Sequence, residues 1–293
     1  MISLPTLIKL FGKITRKQKK KSKENLVCLC SREPGQDENS SLLVLSQVGN
    51  INTSVSSNPS QIKREAGLYH FAILLPERKF LASFLQHIKK NLYPRYYEGL
   101  ADHAVSESLY LHDPDNNRIE VYHDRLPSEW IWTDANKIHM VPKSLDVKDL
   151  LNHESFRTWN GLPKKTSIGH VHLHVSNLTK AKKFYQDMIG LYNTASYPGA
   201  HFIAAERYHH HIATNTWIRT NILPNSANDL RKIGLDHFAI QIPNNKKEKD
   251  SFKNHLISNG ISIDEKILDS DFHQNSSFYV YDHDGIKMQF NFV

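Results

Sequence analysis

The chain has 293 residues, 39% of them hydrophobic and 23% charged, and a formal net charge of +7. This is length for about two domains with an ordinary globular composition. No stretch approaches the roughly 20 apolar residues of a membrane helix, so no membrane partner is expected. The excess positive charge lies in one run, Lys13, Arg16, Lys17, Lys19, Lys20, Lys21 and Lys23. No aromatic residue interleaves with it, so it reads as a solvated segment and nucleic acid is not an expected partner.

Taken in chain order, residues 1–11 are apolar but broken by Pro5 and Lys9, with no small-residue cleavage site, so no signal peptide is expected. Residues 26–30 and 42–45 read as short strands. Cys28 and Cys30 share a face of the first, and we read them as buried thiols of a reducing cytosol. A cytoplasmic protein is therefore expected. Residues 70–75 form a strand, 79–92 an amphipathic helix, and 108–111 and 118–122 two further strands. The Asp113-Pro114-Asp115-Asn116-Asn117 turn joins the last two. Residues 123–167 are a connector rich in Pro and Trp.

Beyond the connector, residues 169–175 alternate like a half-buried strand. Residues 178–191 carry the strongest helix signal in the chain. Ser176 or Asn177 can cap this helix; Leu178, Ala181, Phe184, Tyr185, Met188 and Ile189 form its apolar stripe. Strands are expected at 200–204 and 209–213. The last stretch reads as a strand at 237–242, a helix at 248–259, and strands at 261–267, 277–281 and 287–293. The Asp282-His283-Asp284-Gly285 turn precedes the final strand.

A repeat organises these elements. Gly-Leu-Tyr-His-Phe-Ala-Ile-Leu-Leu-Pro at 67–76 returns as Gly-Leu-Asp-His-Phe-Ala-Ile-Gln-Ile-Pro at 234–243, with seven of ten positions identical. Residues 108–113 are answered by 277–282, so the duplication extends well beyond one motif. Three βαβββ modules start near residues 67, 168 and 234. A fourth, before residue 67, is degenerate or lacks its opening strand. The expected fold is α+β. Its domains are 1–124 with an incomplete first module, a connector at 125–167, and 168–293.

These segments resemble the vicinal oxygen chelate superfamily of glyoxalases, bleomycin resistance proteins and extradiol dioxygenases, and within it the bacterial two-domain catechol 2,3-dioxygenase-like proteins. The likeness rests on 67–76, on Asp102-His103-Ala104-Val105-Ser106-Glu107, on 113–122 and on 168–175. Tyr208-His209-His210-His211-Ile212-Ala213-Thr214-Asn215-Thr216-Trp217 carries it further, as do 124–128 and 145–147 of the connector. The resemblance implies paired modules closing into glyoxalase-like half-barrels around a divalent metal. Two first-strand His and one last-strand Glu would hold Fe(II), leaving open positions for a diol and dioxygen.

Carried onto this chain, the pattern places the metal at His170, His237 and Gln289 of the C-terminal domain. Gln289 stands where a carboxylate is expected. His210 takes the proton-handling position and Tyr279 the substrate-contacting one. In the N-terminal domain His70 and Glu120 match, and Tyr110 parallels Tyr279. A complete His/His/Glu set arises only across modules, from His70 and Glu120 with His170. Single His residues in half-buried strands more often satisfy structural hydrogen bonds. The resemblance implies a ring-cleaving dioxygenase taking a small aromatic diol and dioxygen, with a homo-oligomer as a further expectation. The alternatives are a glyoxalase-like lyase or isomerase using Mn, Ni or Zn, and a degenerate binding protein without catalysis.

Overall fold

The structure is a computed structural model describing residues 14–18, 25–29, 42–46, 65–92, 94–152, 158–220, 222–224, 234–243, 245–265 and 277–292. It divides into two units: Met1–Gln47 with Tyr69–Val171, and Val48–Leu68 with His172–Val293. Two of the boundaries fall within strands, Gly67–Leu74 and Ser167–His174, and the connector, 125–167, stays in unit 1. Residues 1–11, Cys30 and most of the basic run lie outside the described residues.

In unit 1, β1 (Ile14–Gln18), β2 (Asn25–Leu29) and β3 (Leu43–Ser46) form a small antiparallel sheet. The module beginning at residue 67 is complete. It runs β4 (Gly67–Leu74), α1 (Arg78–Asn91), β5 (Tyr97–Asp102), β6 (Ser106–His112) and β7 (Arg118–Asp124). A short helix in the connector, α2 (Val147–Leu151), follows; strand order is β5-β6-β7-β4, and β8 (Ser167–His174) lies beside β4. β5 was not expected. Its Tyr-Glu-Gly-Leu-Ala-Asp sequence lacks period-two alternation, and it becomes a strand by pairing with β6 across a bulge between Tyr97 and Gly99.

Helix α1 presents Leu81, Phe84, Leu85 and Ile88 at helical spacing, all buried. Each such side chain contributes about 1.5–3 kcal/mol by leaving water. Along β7, Ile119 and Val121 alternate with Glu120 and Tyr122, and all four are buried. The parallel ladder sets Ala72 opposite Glu120 and Ile73 opposite Val121. Period two therefore assigns Phe71, Ile73, Ile119 and Val121 to one face of the sheet. His70, Ala72, Glu120 and Tyr122 go to the other.

Unit 2 contains a second complete module: the end of β8, α3 (Leu178–Lys182), β9 (Tyr192–Tyr197), β10 (Ala200–Ala204) and β11 (Ile212–Asn215). The order is β8-β11-β10-β9. Asn177 caps α3 by accepting from the Lys180 N–H. The single helix expected over 178–191 widens into a π-helix at Lys183–Met188. The wider turn buries the neighbouring rings of Phe184 and Tyr185 together, and the Tyr185 hydroxyl donates to Asp282 at 2.9 Å. The strand expected at 209–213 begins only at Ile212. The β10–β11 ladder ends at Ile203 opposite Ile212, and the three His before it form a loop packed by its own rings.

The last module runs β12 (His237–Ile242), α4 (Lys246–Ser258), β13 (Ser277–Tyr281) and β14 (Lys287–Phe292), in the order β12-β14-β13. Of the strand expected at 261–267, Asp264 bridges to Tyr279, and the part beyond 265 lies outside the described residues. The fold is α+β, built from repeated βαβββ modules.

Candidate metal centre

Among the described residues, one group of His, Cys, Asp or Glu side chains has the geometry to hold a metal: His70, Glu120 and His170, all buried, with ligand atoms within 4.8 Å of one another. Strand adjacency assembles it. β4 lies between β7 and β8 and carries His70. β7 supplies Glu120 and β8 supplies His170.

The His70 and His170 Nε2 atoms lie 3.0 and 3.1 Å from the same carboxylate oxygen, Glu120 Oε2, and 3.4 Å from each other. The other oxygen, Oε1, accepts from the Ser108 hydroxyl at 2.6 Å. Burial alone would raise the Glu120 pKa. The His170 and His70 rings outweigh burial and hold the carboxyl well below its usual range. With metal–ligand bonds of about 2.1 Å, three facial octahedral donors sit about 3 Å apart. The observed separations and the two-imidazole, one-carboxylate donor set therefore fit a divalent transition metal.

The surroundings fix these rings. Tyr122 packs on the His170 ring at 5.0 Å between centroids. This contact requires Gly169, because a Cβ there would overlap the Tyr122 hydroxyl. Tyr110, opposite Glu120 in the β6–β7 ladder, meets the His70 ring edge-on at 5.9 Å. Burial and the Glu120 charge push its phenol pKa well above the ordinary value. Its hydroxyl lies 2.7 Å from His103 Nε2.

The remaining candidates lie in unit 2. Gln289 is buried on β14, opposite Ala239 and Tyr279. His237, on β12, contacts the Tyr279 ring edge-on at 5.6 Å, and its Nδ1 lies 2.6 Å from Asp236. Burial, then the Asp236 charge, pushes the Tyr279 phenol up to about 12. His210 is buried against Phe202, with its Nδ1 2.8 Å from His209 Nδ1. The alternation that would set His210 apart from His209 does not apply, since both rings are buried in a loop and His211 is exposed.

Of the two arrangements read from the sequence, the structure gathers the cross-module set around His170. His103, Ser108, Tyr122 and Gly169 had no assigned role. The available signal for His103 was its place in the Asp102–Glu107 segment that carries the family likeness.

This architecture and donor set define a metal-binding α+β protein of βαβββ modules, and comparison with known proteins gives the family. Residues 167–290 match the model of the Glyoxalase/Bleomycin resistance protein/Dioxygenase superfamily. A Bacillus subtilis (strain 168) protein named catechol-2,3-dioxygenase is 40% identical over 217 residues, covering 72% of this chain and 74% of that protein. The chain belongs to this superfamily. A solved putative dioxygenase from Bacillus subtilis subsp. subtilis str. 168 aligns with a TM-score of 0.49 at 13% identity, over 78% of this chain; the chain spans 64% of its length. The genomically encoded fosfomycin resistance protein FosX from Listeria monocytogenes aligns with a TM-score of 0.31 at 18% identity, over 43% of this chain and 93% of its own. No helix among the described residues is long and apolar enough to cross a membrane.

Proposed function

We propose that the protein is an extradiol-type ring-cleaving dioxygenase acting on a catechol-like vicinal diol, with Fe(II) held by His70, Glu120 and His170. The observation that carries the proposal is the convergence of these three buried donor atoms at 3.0–3.4 Å. The relative named catechol-2,3-dioxygenase supports the reaction class. When bound, Fe(II) supplies a Lewis acid and a redox-active centre with open positions for the diol and dioxygen.

The chain's own residues perform the rest. Glu120 contributes one negative charge and stays ionised because two imidazoles face it. Ser108 fixes the free carboxylate oxygen, so Oε2 keeps its aim. Tyr110 stays a neutral phenol, able to donate and accept. A proton leaving a diol hydroxyl passes to the Tyr110 oxygen as the Tyr110 proton moves to His103 Nε2, across the 2.7 Å contact.

The test is oxygen consumption, in air-equilibrated buffer with a panel of catechols, by protein loaded anaerobically with Fe(II). Uptake that depends on both iron and diol, and that disappears in His170→Ala and Glu120→Ala, is the expected result. Metal-loaded protein that consumes no oxygen across the panel but converts a hemithioacetal would overturn it in favour of a glyoxalase-like lyase.

A further inference from the structure

His103 reaches Tyr110 from the short connection between β5 and β6, where its N–H donates to the Ser106 carbonyl at 2.9 Å. The next residue, Ala104, has φ 65, a left-handed conformation that an alanine side chain disfavours. Side chains around the turn hold it there. Asp102 Oδ1 accepts the Ala104 N–H at 2.8 Å, and Asp102 Oδ2 accepts from Arg125 at 2.8 Å. The same Arg125 nitrogen reaches Glu107 at 3.3 Å, and Arg78 grips that buried carboxylate twice, at 2.6 and 3.0 Å.

The backbone is held as tightly. Asp102 exchanges two hydrogen bonds with Lys143, at 2.9 and 2.7 Å. The Val105 carbonyl accepts from the Arg125 N–H at 2.8 Å and from the Trp130 indole at 3.1 Å. Arg125, Trp130 and Lys143 all come from the connector. A segment with no role in the modules thus supplies most of the fixings of one three-residue turn. Strain held by so many outside contacts is more typical of a functional turn than of a passive link.

We propose that the connector is a positioning clamp for His103, with Asp102 and Arg125 as positioning residues that hold the strained turn so that His103 Nε2 meets the Tyr110 hydroxyl. The kinetic part rests on the dioxygenase reading above; the positional part does not. The clamp is ionic. Burial would raise the Asp102 pKa, but the Ala104 N–H, Arg125 and His103 together draw it below the usual carboxylate value. Loosening the turn moves an imidazole that must stay within hydrogen-bond reach, and such displacements reduce turnover more than binding.

The experiment uses the full chain, labelled with 15N-histidine, and follows the His103 ring nitrogens together with Tm and, in Fe(II)-loaded protein, kcat and KM for catechol. Ala104→Gly relieves the strained φ, so Tm rises or holds. His103 nevertheless loses its single tautomer signal, and kcat falls about tenfold with KM unchanged. Arg125→Gln gives the same NMR and kinetic change, and Arg125→Lys restores part of it. Glu98→Gln, on β5 away from the clamp, leaves the His103 signal intact. If Ala104→Gly keeps the signal and kcat, or loses the signal with kcat intact, the clamp proposal is overturned. If wild-type protein consumes no oxygen with catechols while the variants still release the His103 signal, the dioxygenase reading fails and the clamp stands.

Discussion

The two copies of the repeated strand have nearly the same sequence but different surroundings. β4 places His70, Phe71, Ala72 and Ile73 in the interior, whereas β12 leaves Ala239 and Gln241 exposed and His237 half-buried. Their ladders match in register: Ala72 faces Glu120 as Ala239 faces Gln289, and Tyr110 faces Glu120 as Tyr279 faces Gln289. Each His even meets its Tyr edge-on, at 5.9 and 5.6 Å. What differs is what stands beside the frame. β4 has β8 as a second neighbour, and with it His170. His237 has Asp236. Duplication copies the frame, and the neighbouring strand decides whether the frame becomes a donor set.

The largest test of this contrast removes the donors. His170→Ala or Glu120→Ala should lower metal affinity at least about 100-fold, while His237→Ala and Gln289→Ala leave the stoichiometry at one metal per chain. Elemental analysis after dialysis reads this directly. Loss of metal in His237→Ala would reverse the comparison.

The next test tries to equalise the copies. Gln289→Glu places a carboxylate in a buried site on β14, where no metal-holding group of His, Cys, Asp or Glu side chains is found among the described residues. It should cost about 3 kcal/mol at neutral pH and bind no second metal, as judged by denaturant melts and metal titration. A second equivalent of metal in this variant would show that Glu alone makes the frame a site.

The turns of the two copies share their backbone bonding and differ in their side-chain donors, Tyr185 to Asp282 and Asn117 to Asp113. Asp282 and its counterpart Asp113 each accept backbone N–H groups at the hairpin, and burial raises both pKa values. For Asp282 the value rises from 3.8 to about 6. Since the folded value exceeds the unfolded one, this group's contribution is fully present below about pH 3.8 and is lost as pH rises through about 6, a change of about 3 kcal/mol. Asp282→Asn should flatten that part of the stability–pH curve, measured by urea midpoints between pH 4 and 7. An unchanged curve would mean that Asp282 does not set it.

The smallest effect belongs to packing beside β8. Gly169→Ala should cost about 1–3 kcal/mol by displacing the Tyr122 ring, and should loosen the His170 ring that Tyr122 supports. A melt and the metal off-rate would show both. An unshifted Tm would mean that Tyr122 rotates away freely.

Much of the frame was legible in the chain. The repeat located both first strands, the family resemblance matched each first-strand His to its Glu or Gln, and the Asp-led turns marked the hairpins. Strand adjacency was not legible. Spacing along β4 and β12 is nearly identical, so nothing local distinguishes His70 from His237 as the companion of His170. That choice is made by which strand packs beside β8. The π-helical turn at 183–188 escaped for a related reason, since only the tertiary demand to bury Phe184 and Tyr185 together widens it. Residues 209–211 carry a strand-like pattern, yet they form a loop in which Tyr208 packs on His209 and His211, contacts that have no sequence period, and the ladder ends at Ile212.

The pairing of Ala72 with Glu120 has a consequence for quality control. Side chains alternate along β7, so a slip of one residue against β4 would turn Glu120 to the opposite face and bring Ile119 or Val121 between the imidazoles. A misaligned molecule would then present two histidines and a hydrocarbon, and could not hold the ion. If the proposed site holds its metal, occupancy doubles as a proofreading mark, and the fraction of a preparation that binds it counts the chains whose β4–β7 ladder has closed in the right frame.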